Sequence, residues 1–414
     1  MQQSSNWLYG RTGAKRRRWR SFAGLAVACL LVACAVFVAV RYVFDGWEGR
    51  APAPESSTAE QSTTTEPATA PPESPALKVK GLYVTAWSAG MADRLAHYVE
   101  LCDTTEINAL VIDVKDDRGQ LTFANSIEGA SRAASDIIPD IAQAMSLLKA
   151  HDIYAIARVV CFKDPLWSAL HPELAIRSTR GGTWKDADGA AWLDPYNEAS
   201  WAYLAAVATE AARTGFDEIQ LDYVRFPTAG NLKDIDYGSA AAEKPKAQAI
   251  ADFLAYIRQA LAGTDTRLSV DIFGITAIHA GDYEDIGQDP LMLSRGADWL
   301  CPMVYPSHFA NKRQNGAGQV INDILYEAPD LQPYEIVYNT LILIRNRLRA
   351  GANPAGVRPW LQDFTASYLG RGYYQEYTAQ QVRAQIQAVY DAGFGEWILW
   401  NAAGTYSEDA LLPE

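Results

Sequence analysis

From Lys80 onward the chain alternates short apolar runs, bounded by Gly, Pro, Asn or Asp, with longer stretches whose apolar residues recur every three or four positions. The short runs read as strands and the periodic stretches as helices. Strands are expected at Gly81 to Trp87, Ala109 to Asp116, Tyr154 to Phe162, within Gly215 to Pro227, and at Arg267 to Gly274, Trp299 to Tyr305, Arg358 to Phe364 and Glu396 to Asn401. Helices are expected at about Met91 to Asp103, Asp136 to Ala150, Glu198 to Thr214, Lys244 to Ala262, Pro290 to Arg295, Pro333 to Arg349 and Thr378 to Ala392. A long loop holding Trp167, His171, Trp184 and Trp192 precedes the third of these. The alternation predicts an α/β fold, a parallel (β/α)8 TIM barrel. Only 13 residues follow Asn401, so the last helix is expected to be short or missing.

One stretch is more informative than the rest. Within Gly215 to Pro227, Ile219, Leu221 and Tyr223 alternate with Gln220, Asp222 and Val224, so one strand face is apolar and the other carries an amide and a carboxylate. Polar groups on an inner strand face are costly unless they have a task. The run breaks at Pro227, which puts Asp222 near the C-terminal end of its strand, where barrel enzymes keep their chemistry.

The other strand ends are polar too. Asp113, Lys115 and Asp116 close the second strand, Arg158 lies in the third, Arg225 follows the fourth and Asp271 closes the fifth. Tyr305 and His308 follow the sixth, Gln362 and Asp363 close the seventh, and Trp400 and Asn401 the eighth. Such a set suits a sugar, because carboxylates serve as acid, base or nucleophile, aromatic faces stack on pyranose rings, and amides and arginines bond hydroxyls.

The expected catalytic pair is Asp222, kept charged by Arg225 as nucleophile or charge stabiliser, and Asp271, which shares the inward parity of Ser269, as acid/base. An acid protonated near neutrality needs the drier setting, so Asp271 is expected to be the more buried. Asp113, Asp116, Arg158, Arg225, Tyr305, His308, Gln362, Asp363, Trp400 and Asn401 are expected to bind substrate. Asp113 shares parity with Lys115 and could instead neutralise it, and only one of Gln362 and Asp363 can point inward. Trp87, Trp167 and Trp192 are further sugar-platform candidates, with core packing as the competing role.

The first 77 residues follow a different pattern. Phe22 to Val40 are 19 consecutive uncharged, mostly apolar positions, about the length that crosses a bilayer at ~1.5 Å per residue. Arg11, Lys15, Arg16, Arg17, Arg18 and Arg20 precede them, so residues 1–21 are expected in the cytoplasm and everything beyond a 22–44 transmembrane signal-anchor outside the cell. A cleaved signal peptide and a lipobox at Leu31-Val32-Ala33-Cys34 are the alternatives. Ala51 to Pro75 is Pro, Thr, Ser, Glu and Ala with no large apolar residue, so 45–77 is expected to be a disordered linker to a 78–414 barrel domain.

A net charge of −13 opposes nucleic-acid binding, since a phosphate backbone would be repelled. The chain has no HExxH, CxxC pair, GxGxxG or P-loop, so neither metal nor nucleotide cofactor is expected. Cys102, Cys161 and Cys301 are scattered and read as buried free thiols.

Several segments together resemble a family of bacterial domains described as glycoside hydrolases. They are Gly81-Leu82-Tyr83-Val84-Thr85, Val111 to Asp116, Leu221-Asp222-Tyr223-Val224-Arg225-Phe226-Pro227, Val270 to Gly274, Cys301 to His308 and Arg358 to Phe364, in order over residues 78 to 405. The resemblance implies a glycosidase-type barrel in exported proteins, with a polysaccharide or oligosaccharide as substrate. The α-amylase clan is a partial analogy, with acids after strands four, five and seven where this chain has Asp222, Asp271 and Asp363. Chitinase-like barrels fit worse, because their DxxDxDxE strand is matched by Asp217, Gln220, Asp222 and Val224 and lacks the glutamate. A non-catalytic carbohydrate-binding barrel of the envelope is the alternative function, expected if Asp271 sits in a buried ion pair.

Overall fold

The computed structural model describes residues 77–351 and 354–413. Among these, parallel strands close into a barrel: β1 (Lys80–Val84), β2 (Ala109–Lys115), β3 (Tyr154–Val160), β4 (Glu218–Asp222), β5 (Arg267–Phe273), β6 (Trp299–Met303), β7 and β8 (Trp397–Trp400). Strand β7 comes in two pieces, Gly356–Val357 and Trp360–Gln362, because Pro359 has no N–H to give to a ladder. The ring is complete, since β8 pairs β1 and β7 pairs β6, each in parallel. Helices α1 (Ala92–Thr104), α2 (Ile141–Ala150), α3 (Glu198–Thr214), α4 (Lys246–Ala260), α5 (Pro290–Leu293), α6 (Pro333–Leu348) and α7 (Ala379–Asp391) connect successive strands on the outside. Among the described residues, β8 is followed by a 3-10 turn, Glu408–Ala410, and by no α-helix.

Local chemistry sets these boundaries. Asn197 caps α3 by accepting from Ala199 N, and Gly215 ends it in the left-handed conformation at φ 107°. Asp289 caps α5 ahead of Pro290 at its first position, and Thr378 with Gln381 forms a capping box on α7. The α3 bounds coincide with those expected; most others fall within a few residues, and α2 starts five later, at its Asp140 cap.

Most of the buried apolar residues fall in two layers, with a small third cluster at Phe309, Ile321, Tyr326 and Ile336. The larger lies between the strands and helices, while a smaller one, including Val79, Tyr83, Ala109, Val111, Ile156, Cys301, Trp360 and Ile398, fills the barrel. The inner parity of β4 is as expected: Glu218, Gln220 and Asp222 all point into buried surroundings. At the N-terminal end Arg358 Nη1 donates to Glu218 at 2.7 Å and its Nε to Glu396 at 2.8 Å, while Ser269 and Tyr154 also donate to Glu218.

One parity expectation fails. The register of β2 against β3 shifts between Asp113 and Lys115, a bulge that turns Lys115 away from Asp113. Lys115 instead meets Asp164 at 2.8 Å, with both side chains sealed. Cys102, Cys161 and Cys301 are buried free thiols. The expected tail, 22–44 anchor and most of the 45–77 linker, with Cys29 and Cys34, lie outside the described residues. Among the described residues no helix is long and apolar enough to cross a membrane.

Candidate active site

The C-terminal ends of β3 to β8 and the loops above them enclose a cavity of about 240 Å³. Of the expected site residues, Asp222, Asp271, Arg158, Arg225, Tyr305, His308 and Trp400 line it. Leu221 pairs Val270 across β4 and β5, so Asp222 and Asp271 close adjacent strands.

Their surroundings differ. Asp222 is 6 % exposed, and its Oδ2 accepts from Arg158 Nε at 3.1 Å and Nη2 at 2.5 Å, while Oδ1 accepts from Tyr223 N at 2.6 Å. Asp271 is 1 % exposed and, among the described residues, touches no cation; its hydrogen bond comes from Trp360 Nε1 at 2.7 Å. Burial, and then the neighbouring Asp222 charge, push the Asp271 carboxyl well above its ordinary range against the opposing pull of Trp360 and Arg158. Asp271 is therefore the drier of the two, as expected.

The cation on Asp222 is Arg158 rather than Arg225. Arg158 Nη1 reaches Asp113 at 2.6 Å, and the Asp113 Oδ2 accepts from Tyr83 Oη at 2.5 Å. Burial alone would lower the Arg158 pKa, but Asp222 and Asp113 more than offset it and hold the guanidinium charged. Asp113 thus sits directly behind the cavity as the anchor of Arg158. Arg225 lies a turn further on because the chain leaves β4 through Tyr223, a non-glycine residue at φ 52°.

Aromatic rings cover the rest of the wall. Trp400 lies 5.7 Å from Tyr305 and 5.3 Å from Phe364, and Tyr305 lies 5.0 Å from His308, by ring centres. Burial lowers the His308 pKa to about 4, so its imidazole is neutral at physiological pH. Burial, then Asp271 and Asp222, raise the Tyr305 phenol far out of range of ionisation. Both present neutral hydrogen-bonding groups.

The remaining expected residues are not among those lining the cavity. Asp116 closes its own turn by accepting from Arg118 N and Gln120 N. Gln362 accepts from Ser307 N and donates to Asp330 and the Phe364 carbonyl, and Asp363 receives both the N–H and hydroxyl of Ser407. Asn401 ties the Asp363 and Thr405 carbonyls together. These four residues brace loops, so the third acid of the α-amylase analogy is elsewhere. Trp192 does line the cavity, whereas Trp87 is 63 % exposed and Trp167 is stacked in the core on Tyr203.

Sequence reasoning missed Lys163, Asp186, Asp188, Tyr223, Thr228, Phe273 and Trp360 as lining residues. Trp360 shares its parity with Arg358 and could have been found that way. The Asp186-Ala187-Asp188-Gly189 turn carries a local signal, since Asp186 accepts from Asp188 N and Ala190 N, but nothing local says that it folds over β3 and β4. Among the described residues no group of three His, Cys, Asp or Glu side chains could hold a metal ion.

Comparison with known proteins places this barrel. Residues 81–406 match the model of a family described as "Putative glycosyl hydrolase domain". No curated protein matches the chain. A hypothetical protein from Ruminiclostridium thermocellum ATCC 27405 is 42 % identical, over 46 % of this chain and 96 % of that one, with a TM-score of 0.43. The PgaB (BpsB) glycoside hydrolase domain from Bordetella bronchiseptica is 11 % identical over 79 % of this chain and 95 % of its own, with a TM-score of 0.56. The β-galactosidase of the psychrophilic Marinomonas ef1 is 9 % identical over 78 % and 54 %, with a TM-score of 0.53. At such identities the last two speak for the fold alone.

Proposed function

Because the chain belongs to the family described as "Putative glycosyl hydrolase domain", we propose that it hydrolyses a glycosidic bond in a polysaccharide, with Asp222 and Asp271 as the acting carboxylates. The observation that carries this reading is the contrast between two acids at the ends of neighbouring strands in one cavity. Asp222 is in the grip of the Arg158 fork, while Asp271 is dry and keeps its proton to a raised pH. A dry carboxyl that holds its proton, beside one held in an arginine fork, divides acid from base or nucleophile.

In this reading the sugar lies against Trp400 and Tyr305. Asp271 donates its proton to the glycosidic oxygen as the bond to the anomeric carbon breaks, and Asp222 bonds to or stabilises that carbon. Water then supplies the hydroxyl and returns a proton to Asp271. Adjacent strands lie ~4.8 Å apart, which suits the short carboxylate spacing of a retaining pair. The non-catalytic alternative was tied to an ion pair at Asp271, and the Asp271 hydrogen bond comes from an indole instead. The apolar segment 22–44 would hold the barrel at the outer face of a cell membrane, which fractionation with and without that segment tests.

The test of the reaction is a screen of the full-length chain against a polysaccharide panel, scored by reducing ends. Asp222→Asn should abolish turnover and leave the melting temperature within a few degrees. Full activity in that variant would remove Asp222 from the mechanism.

A further inference from the structure

Arg225 is a buried cation without an anion. It is 7 % exposed and lines the cavity, yet among the described residues no carboxylate lies at ion-pair distance from it. Arg158 and Arg358, the other arginines buried inside the barrel, each touch two carboxylates. The Arg225 guanidinium lies instead against ring faces, 4.4 Å from Phe273, 5.0 Å from Trp192 and 5.2 Å from Tyr223. Its hydrogen bond to protein is Nη1 to the Phe226 carbonyl at 3.0 Å. That leaves donors of a planar fork free for a ligand, with aromatic faces packed around the guanidinium.

Lys163 strengthens the case. It lines the same cavity with its Nζ 5.2 Å from the Tyr223 ring. The acids nearby do not cancel these charges by contact. Asp186 is occupied by Asp188 N, Ala190 N and the Trp192 indole N–H, and Asp188 is exposed at the rim.

Building on the glycosidase reading, we propose that the glycan bound here carries a carboxylate, and that Arg225, supported by Lys163, holds it beside Asp222 and Asp271. A planar monoanion matches a guanidinium fork, whereas a phosphate dianion would place a second negative charge near Asp186 and Asp222 in the same cavity. The carboxylate can belong to a uronic acid ring or to a lactyl ether such as that of peptidoglycan glycan strands.

Equilibrium binding to the full-length chain, followed by tryptophan fluorescence, separates these sources. The probes are oligogalacturonate and glycan strands stripped of stem peptides, each beside its carboxyl-reduced form. One carboxylated probe should bind roughly tenfold or more tighter than its reduced form, and which one does so identifies the source. Arg225→Gln should shrink that difference to near zero by weakening the carboxylated probe far more than the reduced one, and Arg225→Lys should keep part of it. Equal binding of both forms, no binding of either carboxylated probe, or an equal loss for both forms in Arg225→Gln would overturn the proposal. Turnover is recorded separately, so absent hydrolysis would count against the glycosidase reading and leave this one standing.

Discussion

The two ends of the barrel are each built around a buried arginine, and they treat it differently. At the N-terminal end Arg358 is sealed from solvent with Glu218 and Glu396, and Ser269 and Tyr154 occupy Glu218 further. Only its Nη2 is left buried without a partner. At the C-terminal end Arg158 likewise meets two carboxylates, Asp113 and Asp222, but a third, Asp271, stands nearby with no cation in contact. At the base both carboxylates touch the arginine, and the cluster makes a plug. The unmatched carboxyl at the mouth leaves a proton to be used, and the difference separates a structural network from a chemical one within a single barrel interior.

The sharpest way to break this comparison is at Asp271. Asp271→Asn should lower kcat/KM by roughly 10²–10⁴-fold, the range for losing a positioned proton donor. In the wild type the alkaline limb of the pH–rate profile should follow Asp271, above the ordinary carboxyl range, and the variant should lose that limb. Retention of the limb in Asp271→Asn would assign it to another group.

At the base the same kind of change should read out in stability. Arg358→Met leaves Glu218 and Glu396 buried with no cation and should cost about 3–5 kcal/mol of unfolding free energy in denaturant titrations. Combining it with Glu218→Gln and Glu396→Gln should recover much of that loss, because no charge is then stranded. Catalysis by the folded fraction should persist in both. A fall in kcat/KM matching that of Asp271→Asn would erase the distinction between the two ends.

Stability against pH sharpens the contrast at Asp271. Its folded-state pKa is raised, so the native state holds a proton that the unfolded chain releases at ~3.9. The favourable contribution is complete below that value and is lost as pH rises through the folded-state pKa. At pH 7 the wild type therefore carries a penalty that asparagine lacks. Asp271→Asn should melt at the same or a higher temperature than wild type at pH 7, with the gap closing towards pH 4. A variant that melts lower at pH 7 would mean that the carboxylate is stabilised by contacts other than the Trp360 indole.

Much of this was legible in the residues alone, and the failures share a cause. Period-two parity and position at a strand end were enough to select Asp222 and Asp271, because both properties are local. Partners were harder. Arg225 is near Asp222 in sequence, but the left-handed Tyr223 carries the chain away, and Arg158, on the neighbouring strand, makes the contact. Lys115 followed Asp113 in parity until a bulge intervened. Lys163, Asp186 and Trp192 reach the cavity on a loop whose course over the barrel depends on packing against distant strands, and no short-range pattern encodes that.

The smallest expected effect concerns a residue that strand-end position alone would have placed in the site. Asp363 follows β7 and is buried, but its two oxygens are taken by the N–H and hydroxyl of Ser407, which fastens the C-terminal tail across the barrel. Burial raises its pKa and the Ser407 bonds only partly oppose this. Asp363→Ala should therefore cost about 1–2 kcal/mol, the scale of lost hydrogen bonds to one buried acceptor, with KM and kcat close to wild type. Ser407→Ala, which removes only the hydroxyl donor, should give a fraction of that loss. If Asp363→Ala instead raised KM while the melting temperature held, the residue would be contacting substrate, and the division between loop-bracing and cavity-lining acids would have to be redrawn at β7.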